Sequence, residues 1–551
     1  FFFMFCRSCQ VFLFCVLVLC AVQCEDTITV PTSYGSVTGL QRAESFEFLG
    51  IPFAEPPVGS LRFESPVTWT SPSSNYQQQA LEYKPACTQV LYPDFYVFPG
   101  TPSEDCLYLN VYTPNVSDLS SLNLPVMLWI HGGAFTGGSA SENKYNGSVL
   151  AATRNVIVVS TNYRLGALGF LAEPSLCKED PSCGMWGILD QQMAMKWVQS
   201  NIASFGGNPN NVTIFGESAG GMSVAVHLAL ESSAGLFHGA IIESGIAEGY
   251  PSLLTAESYG ANITEALNCA GINSLQVQQC LQAVDTQSIL DAQSLCSETN
   301  CWWPVVNDFD LSEQPLANIE AGTYNQVPVM VGCNGNEGWL FAITSYPPPP
   351  ISATEYEAIV LNDFGEFGFL VLDEYPLSEY GTAFEAVEAI IGDFLFVCPA
   401  YYIAEGVGYP NVDALAFMYL FNHTPSWVTT RAGPYHGSEI NFVFGYRPEA
   451  DIFPFTAEER ILSDNMTMWW SNFATTGNPN PLPVGTVPVW PRFQDSAPVR
   501  IVLDTGDVKY INEYKSQQCE FWREYYLQYY SLERQPPFTL QTLSQLGSLH
   551  K

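Results

Sequence analysis

The sequence predicts an α/β fold in which one large, mostly parallel central sheet carries helices on both faces. Two observations predict it. Short β-branched or aromatic runs alternate with longer apolar segments of helical character along most of the chain, and parallel strands require such crossovers between them. At one junction, Val212-Thr213-Ile214-Phe215-Gly216-Glu217-Ser218-Ala219-Gly220-Gly221, a strand meets a helix through G-x-S-x-G. A serine on so tight a turn takes a strained backbone conformation. Its hydroxyl then stands clear of the sheet beside the free N–H groups of the helix N-terminus. Ser218 is therefore the candidate nucleophile, and the rest of the chain reads as its support.

Taken in order, residues 1–24 read as a signal peptide: Phe1 to Phe5, a single Arg7, an apolar run from Val11 to Val22, and cleavage near Cys24. That run is short of the ~20 apolar residues a membrane span needs. No later stretch reads as long and apolar enough to span, and Leu540 to Lys551 is polar and mixed, so no stable membrane anchor is expected. Residues 25–551 read as a single domain without a linker. From Glu25 to about Gly59 an antiparallel edge meander is expected, with Thr27–Val30 a strand, Gly35–Val37 a turn and Phe48–Ala54 a second strand. Strands follow at Leu107–Tyr112, Pro125–Ile130 and Ile157–Ser160, then a helix over Asp190–Ile202 that leads to the Ser218 strand. A helix from Met222 to Leu230, strands at Gly239–Gly245, Val327–Val331 and Ala416–Phe421, a helical section over Ala353–Gly408 and a helix over Glu458–Thr475 complete the pattern.

Composition narrows the function classes. Against 19 Lys and Arg stand 55 Asp and Glu, a formal net charge of −36. Such a surface repels nucleic acid and anionic membranes, so neither is an expected partner. Of sixteen cysteines, eleven follow the leader, and several form near pairs able to close small loops: Cys87 with Cys106, Cys177 with Cys183, Cys269 with Cys280, Cys296 with Cys301. No Cys/His spacing suggests zinc. Asn-x-Ser/Thr sites at Asn115, Asn146, Asn262, Asn422 and Asn465 fit a secreted glycoprotein; a sixth, Asn211, abuts the nucleophile strand.

A serine hydroxyl needs a base. Of six histidines, His131 precedes the serine, His227 and His238 follow it too closely, His423 lies in a glycosylation site and His550 is next to the terminus. His436 remains, in the Gly-bounded loop Ala432–Glu439. The orienting acid belongs on a tight loop at a strand end; Glu337 after Val327–Val331 fits, with Asp308 and Asp310 as rivals. Donors for a developing oxyanion are the backbone N–H groups of Gly132, Gly133 and Ala219. No lysine follows that glycine loop, which disfavours a phosphate site.

Six spaced motifs carry a resemblance to a known family. Glu104–Val111, His131–Phe135, Asn162–Gly166, Gly187–Gly221, Asn336–Gly338 and His436–Glu439 together resemble the type-B carboxylesterases, which include cholinesterases and some lipases. The likeness spans nearly the whole mature chain. It implies an α/β-hydrolase fold, a Ser218–His436–Glu337 triad, an oxyanion hole at Gly132, Gly133 and Ala219, and no cofactor. It also implies disulfides Cys87–Cys106, Cys269–Cys280 and Cys398–Cys519, which leaves Cys333 unpaired. Cholinesterases of the family hold a quaternary ammonium with a tryptophan between the first two paired cysteines. Here Thr88 to Asp105 has Tyr92, Phe95, Tyr96 and Phe98 but no tryptophan, so the resemblance does not extend to choline esters. Trp302 and Trp303 suit either an acyl pocket or the core. The reading is a secreted serine esterase acting on small-molecule or lipid esters through an acyl-enzyme. Its rivals are a lipase with a mobile Cys87–Cys106 flap and a cholinesterase-like adhesion module.

Overall fold

Period-two alternation of side chains sorts the central strands into two packed faces. Leu128, Ile214, Ala240, Ile242, Val331 and Met418 point into one apolar layer, while Trp129, Phe215, Ile241, Met330 and Phe417 point into the other. Strands covered on both sides need apolar residues at every position, which is why these runs are continuously hydrophobic. Helices Trp186–Asn201, Ala219–Ala229 and Cys398–Gly408 contribute to the first layer. The long helix Ala457–Thr476 closes the second with Trp469 and Trp470, whose rings pack on Trp490. A capping box between Thr456 and Glu459 starts that helix and left-handed Gly477 ends it.

The computed structural model describes residues 26–530 apart from 74, 92–95, 272, 297, 299, 409–414, 429–430, 446–453, 481–487 and 495–497. The expected leader at 1–24 and the C-terminal segment 540–551 lie outside the described residues. Among these residues the strands are β1 (Thr27–Thr32), β2 (Gly35–Gln41), β3 (Ser45–Pro52), β4 (Gln77–Gln79), β5 (Tyr108–Pro114), β6 (Leu124–Ile130), β7 (Ile157–Thr161), β8 (Gly207–Glu217), β9 (Gly239–Glu243), β10 (Val329–Asn334), β11 (Ala416–Phe421), β12 (Val499–Leu503) and β13 (Lys509–Asn512). They form one sheet in the order β1-β2-β3-β5-β7-β6-β8-β9-β10-β11-β12-β13, with β4 beside β2. The run from β7 to β12 is parallel, and the pairings outside it at β1/β2, β2/β3, β3/β5, β5/β7 and β12/β13 are antiparallel. This is the large mostly parallel sheet of an α/β-hydrolase.

Four expectations need correction. Gly35–Val37 is not a turn but the start of β2, paired to Thr32–Val30; the chain reverses at Ser33 and Tyr34. The helix before β8 begins at Trp186 rather than Asp190, because Trp186 and Ile188 are buried and extend its apolar face. Strands β12 and β13 were not expected at all. A charged residue, Arg500, interrupts the Val499–Leu503 run, yet it is buried against the faces of Tyr401 and Tyr514. Finally, one later helical run, Ala383–Gly408, is long and apolar enough by composition to cross a bilayer, but most of it is buried in the core.

Five cysteine pairs join the described residues: Cys87–Cys106, Cys177–Cys183, Cys269–Cys280, Cys296–Cys301 and Cys398–Cys519. Cys333 is free and buried beside Arg500, and burial pushes its thiol pKa up to about 12.

Candidate active site

Strand β8 ends at Glu217, a helix begins at Ala219, and Ser218 between them has φ 57° and ψ −124°. A left-handed φ at a non-glycine residue is strained, and here the neighbours hold it. The Ser218 N–H donates to Glu243 O at 2.9 Å, and the Ser218 carbonyl accepts from Met222 N–H at 2.8 Å. Close packing demands glycine at position 220, since a Cβ there would sit 1.9 Å from Ile130 O. The loop after β6 crosses directly in front. A Cβ on Gly132 would lie 3.1 Å from the Ser218 Cβ, which fixes how near the glycine loop runs to the serine.

That loop is itself strained, with Gly133, Ala134 and Phe135 at φ 113°, 53° and 59°. Among the described residues no acceptor takes the N–H of Gly132 or Gly133, while Gly133 O accepts from Thr136 and Gly137. The first helical residue, Ala219, likewise has no intrahelical acceptor for its N–H. His131 braces the loop from beneath. Its ring stacks on Tyr163 at 4.4 Å, its Nδ1–H donates to Gly132 O at 2.8 Å, and burial lowers its pKa to about 4, so it stays neutral.

Two neighbouring parallel strands supply the other candidates. Glu337 follows β10 and His436 lies on the loop beyond β11. The His436 Nδ1–H donates to Glu337 Oε2 at 2.6 Å. Glu337 Oε1 accepts from Ser244 Oγ at 2.5 Å and from Asn334 N at 2.6 Å, so both oxygens are engaged. Asn336 N–H donates to Pro434 O and Asn334 Nδ2 to Tyr435 O, which sews the acid's loop to the histidine's. Phe341 and Phe396 pack on the imidazole, with ring centres 5.0 and 4.5 Å away. Asp308 and Asp310 are not drawn into this network; Asp310 accepts from Asn307 elsewhere.

His436 Nε2 lies 3.1 Å from Glu217 Oε1, yet the two are not aligned for a hydrogen bond, and neither atom has another partner in the protein. The contact is an ion pair only when the imidazole is protonated; with the proton on Nδ1 alone, Nε2 carries an unshared lone pair. Burial pulls the imidazole pKa down, but the Glu217 and Glu337 charges and the Glu337 hydrogen bond outweigh it, and the net direction is up. Behind the triad candidates lies a buried acidic cluster. Burial, with Glu217, Glu243 and Glu337 as like charges, raises the Glu439 pKa well above normal, and burial raises that of Glu243 to about 8.

Ser218, Glu337 and His436 are thus brought into one site with Gly132, Gly133 and Ala219. Sequence reasoning missed Glu217, Ser244, Asn334 and Glu439, although Glu217 lies inside the G-x-S-x-G motif and Asn334 two residues before the Asn336–Gly338 motif. Trp302 is buried in the core and Trp303 packs edge-on to Tyr250. Among the described residues no group of three or more His, Cys, Asp or Glu side chains is arranged to hold a metal ion.

The model of the Carboxylesterase family matches residues 26–522. Acetylcholinesterase of Bungarus fasciatus is 34% identical over 557 residues, covering 92% of this chain and 89% of that protein. Human cocaine esterase is 36% identical over 504 residues, covering 87% and 86%. A solved PNB esterase superposes with a TM-score of 0.75 at 34% identity, covering 90% of this chain and 99% of the other.

Proposed function

Because the chain belongs to the carboxylesterase family and is a carboxylic ester hydrolase, we propose that Ser218, His436 and Glu337 perform the hydrolysis. Ser218 Oγ attacks the ester carbonyl while His436 Nε2 takes its proton. The N–H groups of Gly132, Gly133 and Ala219 hold the oxyanion. His436 then protonates the leaving alcohol, and water, deprotonated by the same nitrogen, releases the acid from the acyl-enzyme. Glu337 keeps the imidazole in the tautomer with its proton on Nδ1 and stabilises the imidazolium.

One observation carries this reading: the 2.6 Å His436–Glu337 contact, with Nε2 left unbonded, in the same site as a half-buried serine strained into a left-handed turn. The test is hydrolysis of p-nitrophenyl esters from acetate to palmitate by the wild type and by Ser218→Ala. Turnover of short dissolved esters that vanishes in the variant supports it; activity surviving in Ser218→Ala sinks it.

A lipid-ester reading has its own observation. Leu91 and Val97, on either side of 92–95 in the Cys87–Cys106 loop, are 57% and 65% exposed. Such residues suit contact with an emulsion surface. A rate that jumps only on emulsified long-chain esters would favour that reading. We also take residues 25–551 to be one catalytic unit exported through an oxidising route. The five disulfides and the exposed positions of Asn262 and Asn422 support export. Glycosidase-sensitive protein in the medium of expressing cells is the expected result.

A further inference from the structure

Most residues of helix Trp186–Asn201 are buried in the core, yet Met193, Lys196, Trp197 and Ser200 line a recess of about 340 Å³. Their spacing puts them on one side of the helix. The rest of the lining comes from the β1–β2 turn, through Ser33 and Tyr34, and from segments that include Phe53, Thr68 and Trp69. The volume falls within the ~300–1,000 Å³ of small-molecule sites. None of Ser218, His436, Glu337 and the oxyanion glycines lines it, so the recess is separate from the catalytic site.

Aromatic side chains dominate this lining, and contacts with one another hold them in place. Tyr34 stands between two tryptophans: the Trp197 indole N–H donates to its hydroxyl at 3.3 Å, and the Trp69 ring meets its ring edge-on with centres 4.9 Å apart. Trp69 packs in turn on Tyr76, with centres 5.2 Å apart. Asn201 joins the turn to the helix. Its Oδ1 accepts the Ser33 N–H at 3.1 Å and the Ser33 hydroxyl at 2.8 Å, and its Nδ2 donates to Trp197 O at 3.1 Å. Walls tied this way keep their shape without a ligand, so binding needs little further ordering.

The charge of the lining runs against that of the chain. With 55 Asp and Glu against 19 Lys and Arg overall, the recess is lined by one lysine and no carboxylate. Lys196 Nζ donates to Gln192 Oε1 at 2.6 Å and makes no ion pair among the described residues, so its exposed ammonium has hydrogens to spare. The indole N–H of half-buried Trp69 likewise donates to no acceptor among the described residues. Glu55, close in the chain to Phe53, is engaged by the Thr70 N–H and hydroxyl at 2.8 and 2.6 Å and does not line the recess. We propose that this recess is a second, non-catalytic binding site for a small aromatic carboxylate. The ligand ring packs among Tyr34, Trp69 and Trp197, and its carboxylate takes the unneutralised Lys196 ammonium.

The test is calorimetry on the full chain with cinnamate as the probe and cinnamamide as its neutral counterpart. The wild type is expected to bind cinnamate about tenfold or more tightly than the amide. Lys196→Met should weaken cinnamate about tenfold and leave cinnamamide within about twofold, whereas Trp69→Ala should weaken both about fivefold. Melting curves that match the wild type's show that the variants fold; should Trp69→Ala fail to fold, Trp69→Leu replaces it. Hydrolysis of p-nitrophenyl acetate should be the same in all of them, since neither residue belongs to the catalytic site. No binding of cinnamate by the wild type at about 1 mM, or an affinity that stays within about twofold of the wild type's in either variant, overturns the inference. The triad reading fails separately, by p-nitrophenyl acetate hydrolysis persisting in Ser218→Ala, and the calorimetry needs no turnover.

Discussion

Glu337 and Lys144 differ in how tightly each charged group is held. Glu337 is buried and accepts three hydrogen bonds, from His436, Ser244 and Asn334. Lys144 has an ion pair with Glu142, the face of the Tyr145 ring and a third of its side-chain surface in solvent. A group fixed by several directional bonds from several elements has one geometry, which chemistry requires. A group held by one ion pair and one ring face can be exchanged with less disturbance to its neighbours.

The largest effect expected on this contrast comes from the tightly held side. Ser218→Ala should lower kcat by about 10⁵-fold or more, since the oxyanion donors and binding alone remain. Glu337→Gln should cost about 10⁴-fold in kcat with little change in KM, because the amide presents an N–H to a nitrogen that needs an acceptor. The same variant has a pH signature. Against the lowering effect of burial, Glu217 and Glu337 raise the His436 pKa above 6.5, and in the proposed mechanism His436 must be neutral to take the proton. Wild-type kcat/KM therefore falls as pH drops through a value above 6.5, and in Glu337→Gln this limb should move to lower pH. An unmoved limb would mean that Glu337 does not set the charge on His436.

A smaller change sharpens the comparison. Ser244→Ala removes one of two donors to Glu337 Oε1 and leaves Asn334 N in place. A lost hydrogen bond to a buried charge predicts about a tenfold fall in kcat. Tyr96→Phe keeps the ring beside Gly133 and Gly137 and should alter KM by no more than about threefold, because the ring, which closes over the glycine loop, is retained. If the two variants lose kcat equally, the hydroxyl of Tyr96 matters to the chemistry as much as the support of Glu337.

The same contrast explains what was legible in the residues themselves. The parallel sheet is readable because buried strands must be apolar at every position, and Ser218 because its turn needs small neighbours on both sides. His436 follows from the scarcity of histidine. Glu337 is less determined: among many carboxylates, what singles it out is a bond to Ser244, 93 residues away, and one to His436, 99 residues away. No local pattern encodes a contact across three strands. Arg500 hid β12 for a related reason, since a charge in a short run reads as an edge or a loop until aromatic faces are seen to cover it.

The smallest effect expected falls outside turnover altogether, on the acidic cluster behind the triad. Glu243 is buried, and burial lifts its pKa from 4.5 to about 8, with the Trp470 indole N–H donating to Oε1 at 2.7 Å and Glu217 adding repulsion. Between those two values the folded protein keeps a proton that the unfolded chain has lost. Stability must then fall as pH rises from about 4.5 through about 8, and level off above. Glu243→Gln retains an oxygen for Trp470 and carries no titrating group. Its melting temperature should drop less than the wild type's between pH 6 and pH 9, by about 2–4 °C. Parallel curves for the two proteins would show that Glu243 is ionised throughout, with a neighbour such as Glu439 holding the proton, and would move the neutral acid of the cluster one residue further from Ser218.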